Sequence, residues 1–331
     1  MLNFLKLKNL NILNGMTKAY FEILRPGVNT TLQDEGRSNL YHIGIPFSGA
    51  MDNRNYLISN SLLENKANCL SLEFAYQGPL LKLKSGKVIA VITGNVIFNL
   101  IRKNSDIEKG ECYTNFILND DDQIDILSTN KSVYGYLSVK GGFQGEIFCG
   151  SSSIHTKSEI GPNNGKKFSL NEKLYLNKSG QKFISKKVNY QNLKIEFIRV
   201  IKATNFDYFS EEAKENFFNK EFNVTKLTDR MGMRLEGPKI ENNFETNIKS
   251  EGLVKGVIQV PADGNPIIML SDHGTIGGYP KIAVVVSADY DKLVQITPGN
   301  KIKFKLIKLS EAEQLFKLYN FETKNIINNS I

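Results

Sequence analysis

The chain has 331 residues, 41% of them hydrophobic and 23% charged, so it can bury about two cores and is too apolar for a long disordered protein. Its formal charge is +8, from 42 Lys plus Arg against 34 Asp plus Glu. The basic residues are dispersed with no aromatic platform among them, so no nucleic-acid partner is expected.

The opening MLNFLKLKNLNILNGM is broken by Lys6, Lys8 and asparagines, which makes residues 1–20 a poorly patterned extension and a poor signal peptide; Met1 and Met16 are both candidate starts. No later stretch reaches the ~18 apolar residues of a membrane span. Three unpaired cysteines, Cys69, Cys112 and Cys149, suit a reducing compartment, so a cytoplasmic location is expected. His42, His155 and His273 lack ligand spacing, and no metal site is expected.

A turn-and-strand device then recurs: LKSGKVIAVITG (83–94), LNDDDQIDIL (118–127), SLNEKLYL (169–176) and ITPGNKIKFKLI (296–307). In each, Gly, Asn or Asp precedes alternating apolar residues, the pattern of a turn feeding a half-buried strand. A barrel or sandwich is predicted over a doubly wound α/β fold. Helices are predicted at 51–66 with Asp52 as N-cap, at 210–222 from Ser210, and at 310–321 from a Ser310/Glu313 capping box, with a frayed tail after it. The lysine-rich stretch 178–194 reads as a solvated linker, dividing a β unit at 21–185 from another at 186–331. Asp34-x-Gly36-Arg37 in the first unit is weakly echoed by Asp229-Arg230-x-Gly232-x-Arg234 in the second.

Four constellations carry candidate chemistry. In RPGVNTTLQDEGRSNLYHIGIPFSGAMD (25–52), Arg37 can fork onto a carboxylate or phosphate, or Asp34 can simply neutralise it; Ser48 and Asp52 lie further along. In VKGGFQGEIFCGSSSIHT (139–156), a loop with Ser151 can cradle an anion through backbone amides. GPNNGKK (161–167) lacks phosphate-loop spacing and is a decoy. In TDRMGMRLEGP (228–238), Arg230 and Arg234 can clamp an anion, unless one is paired with Asp229 or Glu236. The last, EGLVKGVIQVPADGNPIIMLSDHGTIGGYPKI (251–282), offers Gln259, Asp272, His273, Tyr279 and Lys281 around Gly277 and Gly278; a plain hairpin turn fits SDHGTIGGYPKI equally well on local grounds.

PGVNTTLQDEGR, GIPFSGAMD, TDRMGMRLEGP, IQVPADGNPI and GGYPKIA, in this order, resemble the family of the 5-oxoprolinase C subunit, also called KipA or allophanate hydrolase subunit 2, which includes the carboxyltransferase-like domain of urea amidolyase. The resemblance covers roughly residues 21–308. It implies a mainly β protein of two cyclophilin-like barrel units with a few short helices. It also implies ATP-dependent opening of 5-oxoproline to glutamate, with magnesium alongside ATP, by a chain inactive without two partners, a B-type protein like KipI and an A-type protein like LamB/YcsF.

For that chemistry Lys281, Asp272, Asp34 and Gln259 are the expected catalytic residues. Arg37, Ser48, Asp52, Ser151, Asp229, Arg230, Arg234, His273, Gly277, Gly278 and Tyr279 are expected to bind substrate or phosphate. Two other functions fit the resemblance. One is a biotin-dependent carboxyltransferase acting on urea or another amide, which would need a separate carrier because the chain has no A-M-K-M type motif. The other is a non-catalytic regulator that binds a KipI-like kinase inhibitor. The sequence departs from the family where GSRST reads GSSSI (Ser152, Ile154) and DRQTTGGYP reads DHGTIGGYP (His273, Gly274), so two expected arginines are missing.

Overall fold

The computed structural model describes residues 18–180, 182–191, 196–242 and 247–330. The reading of residues 1–17 as an extension lies outside them, as does part of the lysine-rich stretch. The described chain is mainly β, with four α-helices.

Two sheets build the first half. One runs β11 (Lys173–Tyr175), β1 (Tyr20–Arg25), β4 (Leu80–Lys84), β9 (Gln123–Thr129), β6 (Val96–Ile101), β7 (Ile107–Lys109). The other runs β2 (Thr31–Gln33), β3 (Ser71–Ala75), β10 (Tyr134–Val139), β5 (Val88–Thr93), β8 (Phe116–Leu118). In β4 apolar residues alternate, so Leu81 and Leu83 are buried while Lys82 and Lys84 stay partly exposed. In β5 and β10 every residue is buried, because one face meets the opposite sheet and the other is covered by α1 (Asn53–Leu62). The core between the sheets includes Phe21, Phe74, Phe98, Ile124 and Leu137.

The second half is one eight-stranded sheet in the order β20 (Lys301–Ile302), β13 (Phe222–Val224), β14 (Gly232–Glu236), β17 (Ile267–Met269), β16 (Val257–Gln259), β19 (Lys281–Val285), β12 (Ile198–Lys202), β21 (Phe304–Leu306). Its two edge strands are successive pieces of one segment: β20 pairs with β13, and β21 pairs in parallel with β12. The sheet therefore curls into a nearly closed barrel. The helix α2 (Glu211–Asn219), capped as predicted by Ser210 at 3.1 Å, stacks Phe217 on Phe304 with ring centroids 4.5 Å apart. Burying such a ring contributes roughly 1.5–3 kcal/mol. A short ribbon of β15 (Glu251–Gly252) and β18 (Ile276–Gly277) lies outside this sheet.

The halves share a core, in which Met51, Tyr134 and Tyr136 from the first pack with Ile258, Ile268 and Leu270 of the barrel. Among the described residues of stretch 178–191 there is no helix or named strand; Val188 is buried and Lys187 bridges to Thr114.

The helical expectations need two corrections. The helix α3 (Ser287–Val294) directly follows β19 and was hidden behind the apolar run IAVVV. The helix α4 (Leu309–Asn328) starts after Lys308, so Ser310 lies inside its first turn rather than at the cap, and the expected frayed tail is helical. Tertiary contact extends it: Arg54 of α1 donates to Thr323 Oγ1 at 3.0 Å and to the Tyr319 carbonyl at 3.1 Å, with its guanidinium 4.2 Å from the Tyr319 ring.

Candidate functional site

The site grows from the loop before β14. Asp229 accepts from the amides of Met231 (2.8 Å) and Gly232 (3.1 Å), a tight side-chain turn. The neighbouring Arg230 is only 4% exposed. Arg230 Nε and Nη2 fork onto the Asp272 carboxylate at 2.8 and 2.9 Å, Nη1 donates to Glu73, and Nη2 also donates to the Gly49 carbonyl at 2.7 Å. Burial opposes the charge, but Asp272 and Glu73 outweigh it and hold the guanidinium well above the usual arginine range. One side chain thus joins three of the four constellations. Gly49 suits this position because its φ is +77° and a Cβ would lie 2.9 Å from the Glu35 backbone.

Asp34 ties in the remaining constellation. Its carboxylate accepts from Ser151 Oγ (2.6 Å), Ser153 Oγ (2.6 Å), the Ser152 amide (2.7 Å) and the Gly36 amide (2.8 Å). Ser151 is therefore held by a carboxylate, and the serine loop is locked by Asp34 rather than open to an external anion. Of the two alternatives for Arg37, direct pairing with Asp34 is not formed. Its Nη2 donates to the Ser153 carbonyl (2.7 Å) and its Nε to the Phe148 carbonyl (3.2 Å), while the buried Nη1 has no hydrogen-bond partner among the described residues. Burial pushes the Arg37 pKa down, with Asp34 acting against it. Ser48, in a left-handed conformation (φ 57°), donates its amide to the Ser271 carbonyl at 3.0 Å, and its buried hydroxyl has no partner among the described residues.

Two histidines brace the same region. His155 Nδ1 accepts from the Ser158 amide (3.1 Å), which assigns the proton to Nε2 and directs it to the Asp272 carbonyl (3.2 Å). His273 Nδ1 faces the Gly274 carbonyl at 2.6 Å, so its Nε2 accepts from the Tyr41 hydroxyl at 3.0 Å. Burial lowers the His273 pKa, so this side chain supplies no replacement charge at neutral pH for the family's arginine. At the other departure, Ser152 Oγ reaches the Gly145 carbonyl at 3.5 Å, and Ile154 is core.

A second cluster sits at the far end of the stretch that starts at Ser271. Gln259 and Lys281 are register partners on β16 and β19, and Gln259 Nε2 donates to the Tyr279 carbonyl at 3.1 Å. Lys281 is 4% exposed; its ammonium pairs with Glu251 of the ribbon, and its amide donates to Asn205 Oδ1 at 3.1 Å. A Cβ on Gly277 would come within 2.7 Å of Gln259 Nε2, and one on Gly278 within 3.2 Å of the Ile248 carbonyl. Tyr279 is exposed at the surface.

SDHGTIGGYPKI is accordingly more than a hairpin turn: it connects the Arg230 hub to the Lys281 cluster. Arg234 stands apart, exposed on β14. It is near enough to Asp263 to add to the lowering of that carboxyl's pKa, which comes mainly from hydrogen bonds donated by Asn265.

Asp52 serves a third network. It caps α1 through the Asn55 amide (3.0 Å) and accepts from Asn55 Nδ2 and Gln295 Nε2, both at 2.7 Å. Burial, reinforced by the charge of Asp291, pushes its pKa up to about 7. A carboxyl raised on folding stabilises the native state below its unfolded value near 3.8, and that contribution is lost as pH rises to about 7. We expect urea stability of the protein to carry a falling component between pH 4 and 7 that is absent from Asp52→Asn; identical pH profiles would contradict this.

Between the halves, beside the hub, lies a cavity of about 270 Å³ lined by Tyr76, Tyr134, Thr228, Asp229 and Leu270 among others. No group of three or more His, Cys, Asp or Glu suited to a metal occurs among the described residues. Nor is any described helix long and apolar enough to cross a membrane. Sequence reading missed Glu73, Glu251, Ser153 and Tyr41. Only Glu73, the lone charge in the strand SLEFA, left a signal.

This assembly of a mainly β two-part fold, an arginine hub and the GGYPK stretch belongs to a recognisable class. Residues 43–306 match the family described as carboxyltransferase domain, subdomain A and B, and the chain belongs to that family. It is similar to the 5-oxoprolinase C subunit of Escherichia coli K12, at 28% identity over 88% of this chain and 92% of that protein. It is also similar to urea amidolyase of Saccharomyces cerevisiae, at 27% identity over 96% of this chain but 18% of that much longer protein. The solved structure of K. lactis urea amidolyase superposes with a TM-score of 0.85 at 27% identity, over 94% of this chain and 20% of that one.

Proposed function

We propose that the chain is the C-type component of a 5-oxoprolinase-like amidohydrolase, acting with A-type and B-type partners. The observation that carries this reading is the near-complete coverage of the E. coli protein, against about a fifth of each urea amidolyase. In the net reaction water adds its oxygen to the lactam carbonyl carbon, the ring C–N bond breaks, and the nitrogen takes up protons as the amine of glutamate.

Within this chain the two clusters take different parts. Asp34 and Asp272 have their oxygens committed to internal bonds and act as positioning residues. Lys281 and Gln259, set side by side on neighbouring strands with Tyr279 exposed nearby, are the groups we assign to the lactam: the ammonium to polarise its carbonyl and the amide to orient it. ATP does not fit the hub. Asp34, Glu73 and Asp272 outnumber Arg37 and Arg230 there, and Arg230 is engaged by two carboxylates and the Gly49 carbonyl. We therefore assign the nucleotide and its magnesium to a partner and route no phosphoryl step through these residues.

The test is co-purification with the partner proteins followed by assays of the complex. Glutamate formed from 5-oxoproline only with ATP supports the reading. Carboxylation of urea with a biotinylated carrier, without glutamate formation, replaces it by the carboxyltransferase reading. Tight B-type binding with no turnover leaves the regulatory one.

A further inference from the structure

Lys255, in the loop entering β16, is used by neither cluster. Its ammonium lies 4.3 Å from the Tyr290 ring centroid and 5.4 Å from that of Phe47, and it has no ion pair or hydrogen bond among the described residues. Ser48, next to Phe47, is fully buried, and its hydroxyl has no partner among the described residues. The Ser48 amide is fixed to the carbonyl of Ser271, whose hydroxyl lies 3.3 Å from that of Tyr290, so Ser48 is tied by chain or hydrogen bond to both aromatic residues that Lys255 faces.

We infer that Lys255 and Ser48, between the rings of Phe47 and Tyr290, receive a single carboxylate group of a small ligand. An ammonium held against apolar rings and a buried hydroxyl without a partner both carry desolvation costs that one bound oxyanion offsets. Burial lowers the Lys255 pKa, with Asp291 acting against it and Arg230 adding to it, as expected for a cation still lacking its counter-ion. After burial, Lys255 also helps depress the pKa of His273, so its charge is felt at the position where the resembled family carries an arginine. A monoanion is favoured over a phosphate because Asp272 and Asp291 are near enough to act electrostatically on His273 and Lys255 respectively, and repel higher charge.

Taking the ligand as 5-oxoproline rests on the function proposed above; the carboxylate site itself does not. Calorimetric titration of the full chain with 5-oxoproline, with the neutral lactam 2-pyrrolidinone, with lactate and with inorganic phosphate separates the two. The unmutated chain is expected to bind at least one of the two acids about 10-fold or more tightly than the neutral lactam, and Lys255→Met to remove that advantage while Lys255→Arg retains it.

Lys255-dependent binding of lactate without 5-oxoproline upholds the site and removes the substrate assignment. Four results overturn the site: no acid binding tighter than the lactam in the unmutated chain, an unchanged acid affinity in Lys255→Met, an equal loss for acid and lactam, or phosphate binding tighter than either acid.

Discussion

Arg230→Met is expected to cost about 3–5 kcal/mol of folding stability, because it strands two buried carboxylates that now share one guanidinium. Glu73 is 1% and Asp272 3% exposed, so neither can recover hydration without opening the junction between the halves. The loss also frees the Gly49 carbonyl and with it the loop that carries Ser48. Urea unfolding followed by tyrosine fluorescence measures it. A shift below about 1 kcal/mol, the scale of an exposed pair, would mean that the hub is hydrated.

Lys281→Ala has the opposite profile. Its partner Glu251 is 43% exposed at the side chain, so removing the ammonium leaves a carboxylate that water can solvate, and stability falls little. Turnover of the reconstituted complex is expected to drop about 10²–10³-fold, the range for deleting one preorganised donor at a developing charge. A parallel thermal melt separates the effects: intact folding with lost turnover supports the assignment, and full turnover removes Lys281 from the reacting site.

Much of the β architecture was legible because its turns announce themselves. Ser85-Gly86, the Asp120-Asp121-Asp122 run and Pro298-Gly299 each precede a strand, as their turn chemistry predicts. The faint echo between the halves also has a physical counterpart. Asp34 and Asp229 each accept from the amide two residues on, both at 2.8 Å, and each precedes a buried arginine, Arg37 or Arg230.

What local sequence did not carry is pairing at a distance. Glu73 and Arg230 are 157 positions apart, and nothing near either names the other. For Arg37 the sequence allows anion binding or neutralisation by Asp34, and it does not show that three residues of the serine loop hold the Asp34 carboxylate. Arg234 looked equivalent to Arg230 by composition, yet strand alternation in β14 turns it outward. The end of α4 was equally invisible, since Arg54 holds it from more than 260 positions away.

If this chain is a required part of an ATP-driven lactam hydrolase, omitting it tests that role most directly. The A-type and B-type proteins are incubated with ATP and 5-oxoproline, with and without this chain, and released glutamate is quantified. Glutamate is expected only when all three are present. Equal release without this chain, or none under any combination, would contradict the role.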